Sequence, residues 1–242
     1  MNSIPILSIR LLDLPIADDP QAKKRQLNTA KDLLKAFPAQ CHRQGVDPDD
    51  FHNQQVRYSG IQLGRYQGKV EWMAIGHKAV NALTLWYQLF STSQPQHTQN
   101  IIETKEYYTP SFLSEPQPYH IAPLLISDQL AKRLNTIHHR PLYHKQLEKY
   151  LFGNLMTFFQ HIGFSYDKKV NFLHVHLLEV TPFNQALPVY HRQKKTAFRL
   201  RFQCNFHLPQ HLRLGQSTAI GYGRLRHLTP KYDRAFNEGM TI

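Results

Sequence analysis

In the first 108 residues, segments of period two and period 3.6 alternate in an order that few folds accept. Ile4–Leu12 alternates apolar and polar positions with β-branched residues, which predicts a strand. Leu27, Ala30, Leu33, Leu34 and Phe37 recur at helical spacing until Pro38 stops them. Val56–Gly64 and Lys69–Ile75 read as a hairpin turning near Gly68, because both are β-rich runs joined by a short break. Val80, Leu83, Trp86, Tyr87 and Phe90 form a second helical stripe. Asn100–Tyr108 is a last strand, and a Pro-rich stretch, Pro110–Pro118, follows it. The order is βαββαβ, the ferredoxin-like unit, in which two helices cover one face of a four-stranded antiparallel sheet.

The second half has strands and a helix of its own. A strand around Tyr119–Ile126 precedes a long helix with the stripe Leu147, Tyr150, Leu151, Leu155, Phe158, Phe159 and Ile162, closed by Gly163. Extended runs follow at Val170–Val180, Pro188–His191 and Ala197–Phe206. The helical period accounts for the Met and aromatic residues in these stripes as core. At 242 residues the chain is long enough for two such cores. The fold class expected is α+β, with two ferredoxin-like (RRM-like) domains in tandem, 1–112 and 117–242, and a glycine-rich loop near the C-terminus.

The charge is unevenly placed. Up to Pro116 there are 12 basic and 11 acidic residues, and beyond it 17 basic and 6 acidic, so the second half carries a net +11 of the total +12. Charge segregated in this way marks a phosphate-binding face, and nucleic acid is the partner class it favours. The 15 histidines can add positive charge beside a polyanion. No apolar run approaches the ~20 residues of a membrane span, and Met1–Leu11 lacks the basic start and cleavage site of a signal peptide. A cytoplasmic protein with no membrane partner is expected. Cys41 and Cys204 lie far apart, which excludes a disulfide framework or a CxxC zinc spacing.

Three stretches carry candidate chemistry. From Leu212 to Arg226 a glycine loop, with Gly215, Gln216, Ser217, Gly221 and Gly223, is framed by Arg213, Arg224 and Arg226. Exposed N–H groups and hydroxyls in such a loop can bond phosphate oxygens, while arginine adds charge. A strand-to-strand turn whose glycines only relieve strain has the same spacing, and no Gly-Lys-Ser/Thr makes it a P-loop. Lys194, Lys195, Arg199 and Arg201 are the further RNA-contact candidates, since residues at i and i+2 of a strand share a face. The loop after the first helix holds His42, Asp47, Asp49, Asp50 and His52, where the acids suit either Mg²⁺ or an ordinary helix start. His174 and His176 share a strand face, but no third metal ligand accompanies them, and no metal or other cofactor is expected.

The chain resembles a family at three of these places. Gly215 to Gly223, the helix Leu147-Glu148-Lys149-Tyr150-Leu151-Phe152-Gly153-Asn154-Leu155-Met156, and Phe51-His52-Asn53-Gln54 with Arg57-Tyr58-Ser59-Gly60-Ile61-Gln62-Leu63 are similar to elements of the sixth Cas protein. That family comprises CRISPR-associated endoribonucleases of the repeat-associated superfamily, and the likeness is to its b-type branch. Gln54 stands where the branch often has a second histidine, and Ser59 where it has proline. The resemblance implies an enzyme that cuts CRISPR repeat RNA into guide RNAs, with His52 as the catalytic residue, His42 second, and Tyr58 as a hydrogen-bonding helper. Metal-independent cleavage of this kind uses the 2′-hydroxyl as nucleophile, and histidine suits its proton transfers because both of its forms are available near neutral pH. The partners implied are repeat RNA, its processed guide and other Cas proteins of an effector complex. A non-catalytic RNA-binding subunit of such a complex is the alternative, since binding alone needs no cutting histidine.

Overall fold

The computed structural model describes residues 3–11, 43–44, 60–66, 69–93, 101–167, 169, 172–183, 195–216 and 222–228. The helix expected at Leu27–Phe37 and the strand expected at Pro188–His191 lie outside them. The described residues group into two units. The first runs to Thr109 and takes in Thr157–Ser165; the second comprises Pro110–Met156, Tyr166–Gln216 and the described residues from Tyr222. No helix among the described residues is long and apolar enough to cross a membrane.

In the first unit, β1 (Ile4–Leu11), β2 (Ile61–Tyr66), β3 (Lys69–Ile75) and β4 (Ile101–Tyr108) form an antiparallel sheet in the order β2-β3-β1-β4. That is the ferredoxin-like order expected from the periodicities. Register pairs Leu7 with Ala74, Ile9 with Trp72 and Leu11 with Val70, so these six side chains share one face, while Ile6, Met73 and Ile75 take the other. Helix α1 (His77–Ser93) lays Ala79, Ala82, Leu83, Trp86 and Phe90 on that face at helical spacing. Trp72 and Trp86 meet at 4.8 Å between ring centroids, and Trp86 stacks on Phe90 at 5.1 Å. On the opposite face, Arg10 Nε donates to the buried Glu71 carboxylate at 2.8 Å, directly across the β1–β3 pair.

The second unit contains β5 (Phe112–Leu125), α2 (Asp128–Asn135), the part of α3 (Arg140–His161) up to Met156, β6 (Val175–Pro182), β7 (Ala197–Phe206) and β8 (Leu225–His227). Its sheet order, β6-β7-β5-β8, repeats that of the first unit strand for strand. The architecture is therefore α+β with tandem ferredoxin-like sheets. Between β7 and β8 the pattern calls for a helix, and none occurs among the described residues there; the glycine loop occupies that connection.

Three elements differ from the sequence reading in extent, and one of them is β6, which occupies Val175–Pro182 where the extended run was expected at Val170–Val180. β5 begins at Phe112 rather than near Tyr119 and so includes most of the Pro-rich stretch. Proline is tolerated because the ladder to β7 shifts between Phe112 and Gln117, so Pro116 faces no partner. β2 continues past Gly64 to Tyr66. The long helix ends where expected. Gly163 adopts φ +68°, its N–H donates to Gln160 O at 3.2 Å, Phe164 N–H donates to Phe159 O at 2.8 Å, and the Phe159 and Phe164 rings meet at 5.2 Å. This is a Schellman closure with its hydrophobic contact. Because Trp86 is fully buried between Trp72 and Phe90, Trp86→Ala is expected to cost about 3–5 kcal/mol, read as a lower urea midpoint at unchanged slope.

Candidate nucleic-acid interface

The glycine loop is anchored at its base by its own backbone. Leu214 N–H donates to Gly223 O at 2.9 Å and Leu225 N–H to Leu212 O at 2.7 Å, with Arg213 bridged to Arg224 between them. Leu212 and Leu214 are buried and fix this ladder in the core of the second unit. Gly215 and Gly223 have φ of +93° and +73°, which side chains disfavour. A Cβ on Gly223 would overlap the Leu214 carbonyl oxygen, and one on Gly215 would lie 2.5 Å from Leu124 Cδ1. Both glycines are thus required by the loop's own geometry.

Helix α3 fixes where the loop starts. Asn154 Oδ1 accepts from Gly215 N–H at 3.0 Å, while its Nδ2 donates to Tyr150 O one turn earlier at 2.8 Å. Tyr150 OH donates to Leu125 O at 3.1 Å, and the same carbonyl accepts Gln216 N–H at 3.1 Å. Burial pushes the Tyr150 phenol up to about 12, which keeps its donor proton in place. Two separate stretches of the resemblance, the helical Gly-Asn pair and the glycine loop, are therefore joined by one hydrogen bond. The sequence motif contained Asn154 without indicating this role.

The arginines sit unequally. Arg213 is only 2% exposed and is enclosed in the loop base. Arg224 Nη2 lies 2.7 Å from His211 Nδ1, and His211 itself has φ +65°. Across the sheet, Glu179, Arg201, His120 and Arg226 pair in one row running β6, β7, β5 and β8. Arg201 Nη1 is 3.6 Å from Glu179 Oε2, and Arg199, opposite Thr181, is on the same face. Lys195 Nζ donates to both Asp128 carboxylate oxygens at 2.9 Å, at the start of α2. His42, His52, Tyr58, Lys194, Ser217 and Gly221 lie outside the described residues. His176 Nδ1 is 3.2 Å from Glu148 Oε1, which also accepts Leu177 N–H at 2.9 Å from the edge strand β6.

His120 carries a further electrostatic consequence that composition hides. Burial, and then Arg226, Arg199 and Arg201, lower its pKa from 6.5 to about 4, so it is a neutral imidazole among cations at neutral pH. Between those two values the unfolded chain takes up the proton and the folded chain does not. Stability therefore rises with pH through that window. A thermal unfolding midpoint measured from pH 4 to 6.5 is expected to climb, and to climb less steeply in His120→Gln; equal slopes would remove His120 as the source. For the loop, Asn154→Ala is expected to cost about 1 kcal/mol and to speed hydrogen exchange at the Gly215 amide.

Residues 116–228 match the family model described as the Cas6b C-terminal domain. The matched segment starts inside β5 and ends just after β8, so it contains most of β5, all of β6, β7 and β8, Asn154 and the glycine loop. Among solved structures, one described as the CRISPR RNA processing endoribonuclease Cas6b is 13% identical, with a TM-score of 0.64 over 94% of this chain and 100% of its own. A second Cas6b structure is 15% identical with a TM-score of 0.63 over the same shares. Csf5, described as the CRISPR-Cas type IV Cas6 crRNA endonuclease, is 14% identical with a TM-score of 0.55, also over 94% and 100%. No curated protein matches the sequence. The segment 116–228 is thus similar to the Cas6b C-terminal domain, in a chain whose two ferredoxin-like sheets share the fold of Cas6b structures.

Proposed function

We propose that this protein is an endoribonuclease that cleaves CRISPR repeat RNA, the precursor of crRNA, into guide RNAs without a metal ion. The observation that carries the reading is the match of residues 116–228 to the Cas6b C-terminal domain, in a segment whose glycine loop is pinned to α3 by Asn154 and flanked by Arg224 and Arg226. The structure described as a CRISPR RNA processing endoribonuclease has a similar fold over 94% of this chain. In this reading the second unit holds the RNA backbone through Lys194, Lys195, Arg199, Arg201 and the loop, and the cut is made by residues of the first half.

The chemistry is internal transesterification. The 2′-hydroxyl loses its proton to a base and attacks the adjacent phosphorus; the bond to the 5′-oxygen breaks, and an acid returns a proton to that oxygen. The products are a 2′,3′-cyclic phosphate and a 5′-hydroxyl. His52 is assigned one of the two proton transfers, with His42 the second candidate for that role and Tyr58 a hydrogen-bonding helper. Other Cas proteins are the partners this reading adds, and the cytoplasm is the compartment where precursor RNA would be met.

Incubation with repeat RNA in EDTA tests the proposal. Cleavage is expected to persist in EDTA, to stop with a 2′-deoxy substitution at the cut site, and to slow by about 10²–10⁴-fold in His52→Ala with little change in affinity for uncut RNA. Loss of activity in EDTA would return the reaction to a metal held by Asp47, Asp49 and Asp50. Binding with no cutting at all would make the chain a non-catalytic RNA-binding subunit.

A further inference from the structure

The approach to β6 holds an aromatic ring outward on a backbone that is tied down on every side. Phe172 is 64% exposed, yet the next residue, Leu173, is 2% exposed and anchored in the core. Asn205 of β7 clamps the segment with both ends of its amide: Nδ2 donates to Phe172 O at 2.8 Å and Oδ1 accepts His174 N–H at 2.7 Å. Tyr166 OH accepts Leu173 N–H at 3.0 Å, and the Tyr166 ring packs on Phe112 at 6.1 Å. The exposed His174 ring stands edge-on to Phe172, 4.7 Å between centroids at 69°. An exposed phenyl group on a loose loop would mean little. Here three hydrogen bonds and a buried leucine fix its direction toward solvent.

The surroundings indicate what would cover it. His176 is opposite Gln203 in the ladder, Glu179 is opposite Arg201 and Thr181 opposite Arg199, so the outward face of β7 continues from this corner into the arginine row. That row lies in the half of the chain that carries 17 basic and 6 acidic residues. Exposed π-faces beside a line of cations are the recognition chemistry of single-stranded nucleic acid: the rings stack on bases while the cations follow the backbone. Paired bases in a duplex are already stacked on one another and offer no free face. We infer that Phe172, supported by His174, is a stacking platform for an unpaired base of the bound RNA. The inference rests on the RNA-binding reading above and adds a site to it.

The test uses the full chain and a single-stranded oligoribonucleotide carrying 2-aminopurine. With the wild-type protein, the fluorescence of at least one substituted position changes on binding. Phe172→Ala is expected to abolish that change and to weaken single-strand affinity about tenfold, while Phe172→Trp retains both. No cation is removed, so the slope of log K against log salt stays as in wild type, whereas Lys194→Ala with Lys195→Ala flattens it. Binding of a fully paired RNA is unchanged in Phe172→Ala. A melting temperature equal to wild type confirms that the clamp is intact, and Phe172→Leu, which keeps apolar bulk without a π-face, loses the fluorescence signal as Phe172→Ala does. Wild-type affinity and signal in Phe172→Ala would overturn the platform while leaving the RNA-binding reading in place. Failure of the wild-type protein to bind any RNA would overturn both. An unaltered RNA interaction with changed sedimentation in Phe172→Ala would give the ring to a protein contact instead.

Discussion

The amide of Gly215 is the point on which the loop depends. A glycine at φ +93° turns the chain there, and a backbone donor at such a turn needs an acceptor that the loop itself cannot supply. Asn154 supplies it from α3, and the bond belongs to a closed circuit. Asn154 holds Tyr150 O, Tyr150 OH holds Leu125 O, and Leu125 O holds Gln216 N–H beside Gly215. The helix, the end of β5 and the start of the loop are thus fixed to one another by side chains one helical turn apart. An asparagine serves here because the site needs an acceptor for the loop and a donor for the helix from the same group.

Charge in the second half is organised as well as abundant. Arg201 is steered by Glu179, Arg224 by His211, and Lys195 by Asp128, so these cations keep set directions before any ligand arrives. Directing a long side chain in advance lowers the ordering cost of binding. Neutral His120 in the middle of the row separates Arg201 from Arg226 without adding a fourth charge, which limits the mutual repulsion of the arginines. Formal charge counts from sequence therefore overstate how much cation is free for solvent, and Arg213, enclosed in the loop base, is the clearest instance.

Much of the fold was legible because its signals are local. β1, β3, β4 and β7 lie where alternation of apolar and polar residues puts them, and α3 stops at Gly163 because the Schellman closure is written in a glycine and two phenylalanines. β5 was misjudged at its start since proline normally argues against a strand, and only the shifted register around Pro116 makes room for it. The site was less legible because it is assembled from long-range pairings. Nothing in the neighbourhood of Asn154 points to Gly215, 61 positions away, and nothing local brings His120 between Arg201 and Arg226. His211 at φ +65° has no sequence signature at all.

The Glu148 contact to β6 has a meaning for how the molecule behaves in a crowded cell. β6 is the terminal strand of the described sheet, and a terminal strand presents N–H and C=O groups that a strand from another chain can use as a template. Glu148 Oε1 occupies the Leu177 N–H and lies beside His176, so a negative charge sits on the edge where a foreign strand would have to pair. Addition there would have to displace a carboxylate and leave it without its hydrogen bond. The helix that positions the glycine loop thus also places a carboxylate on the open edge of its own sheet.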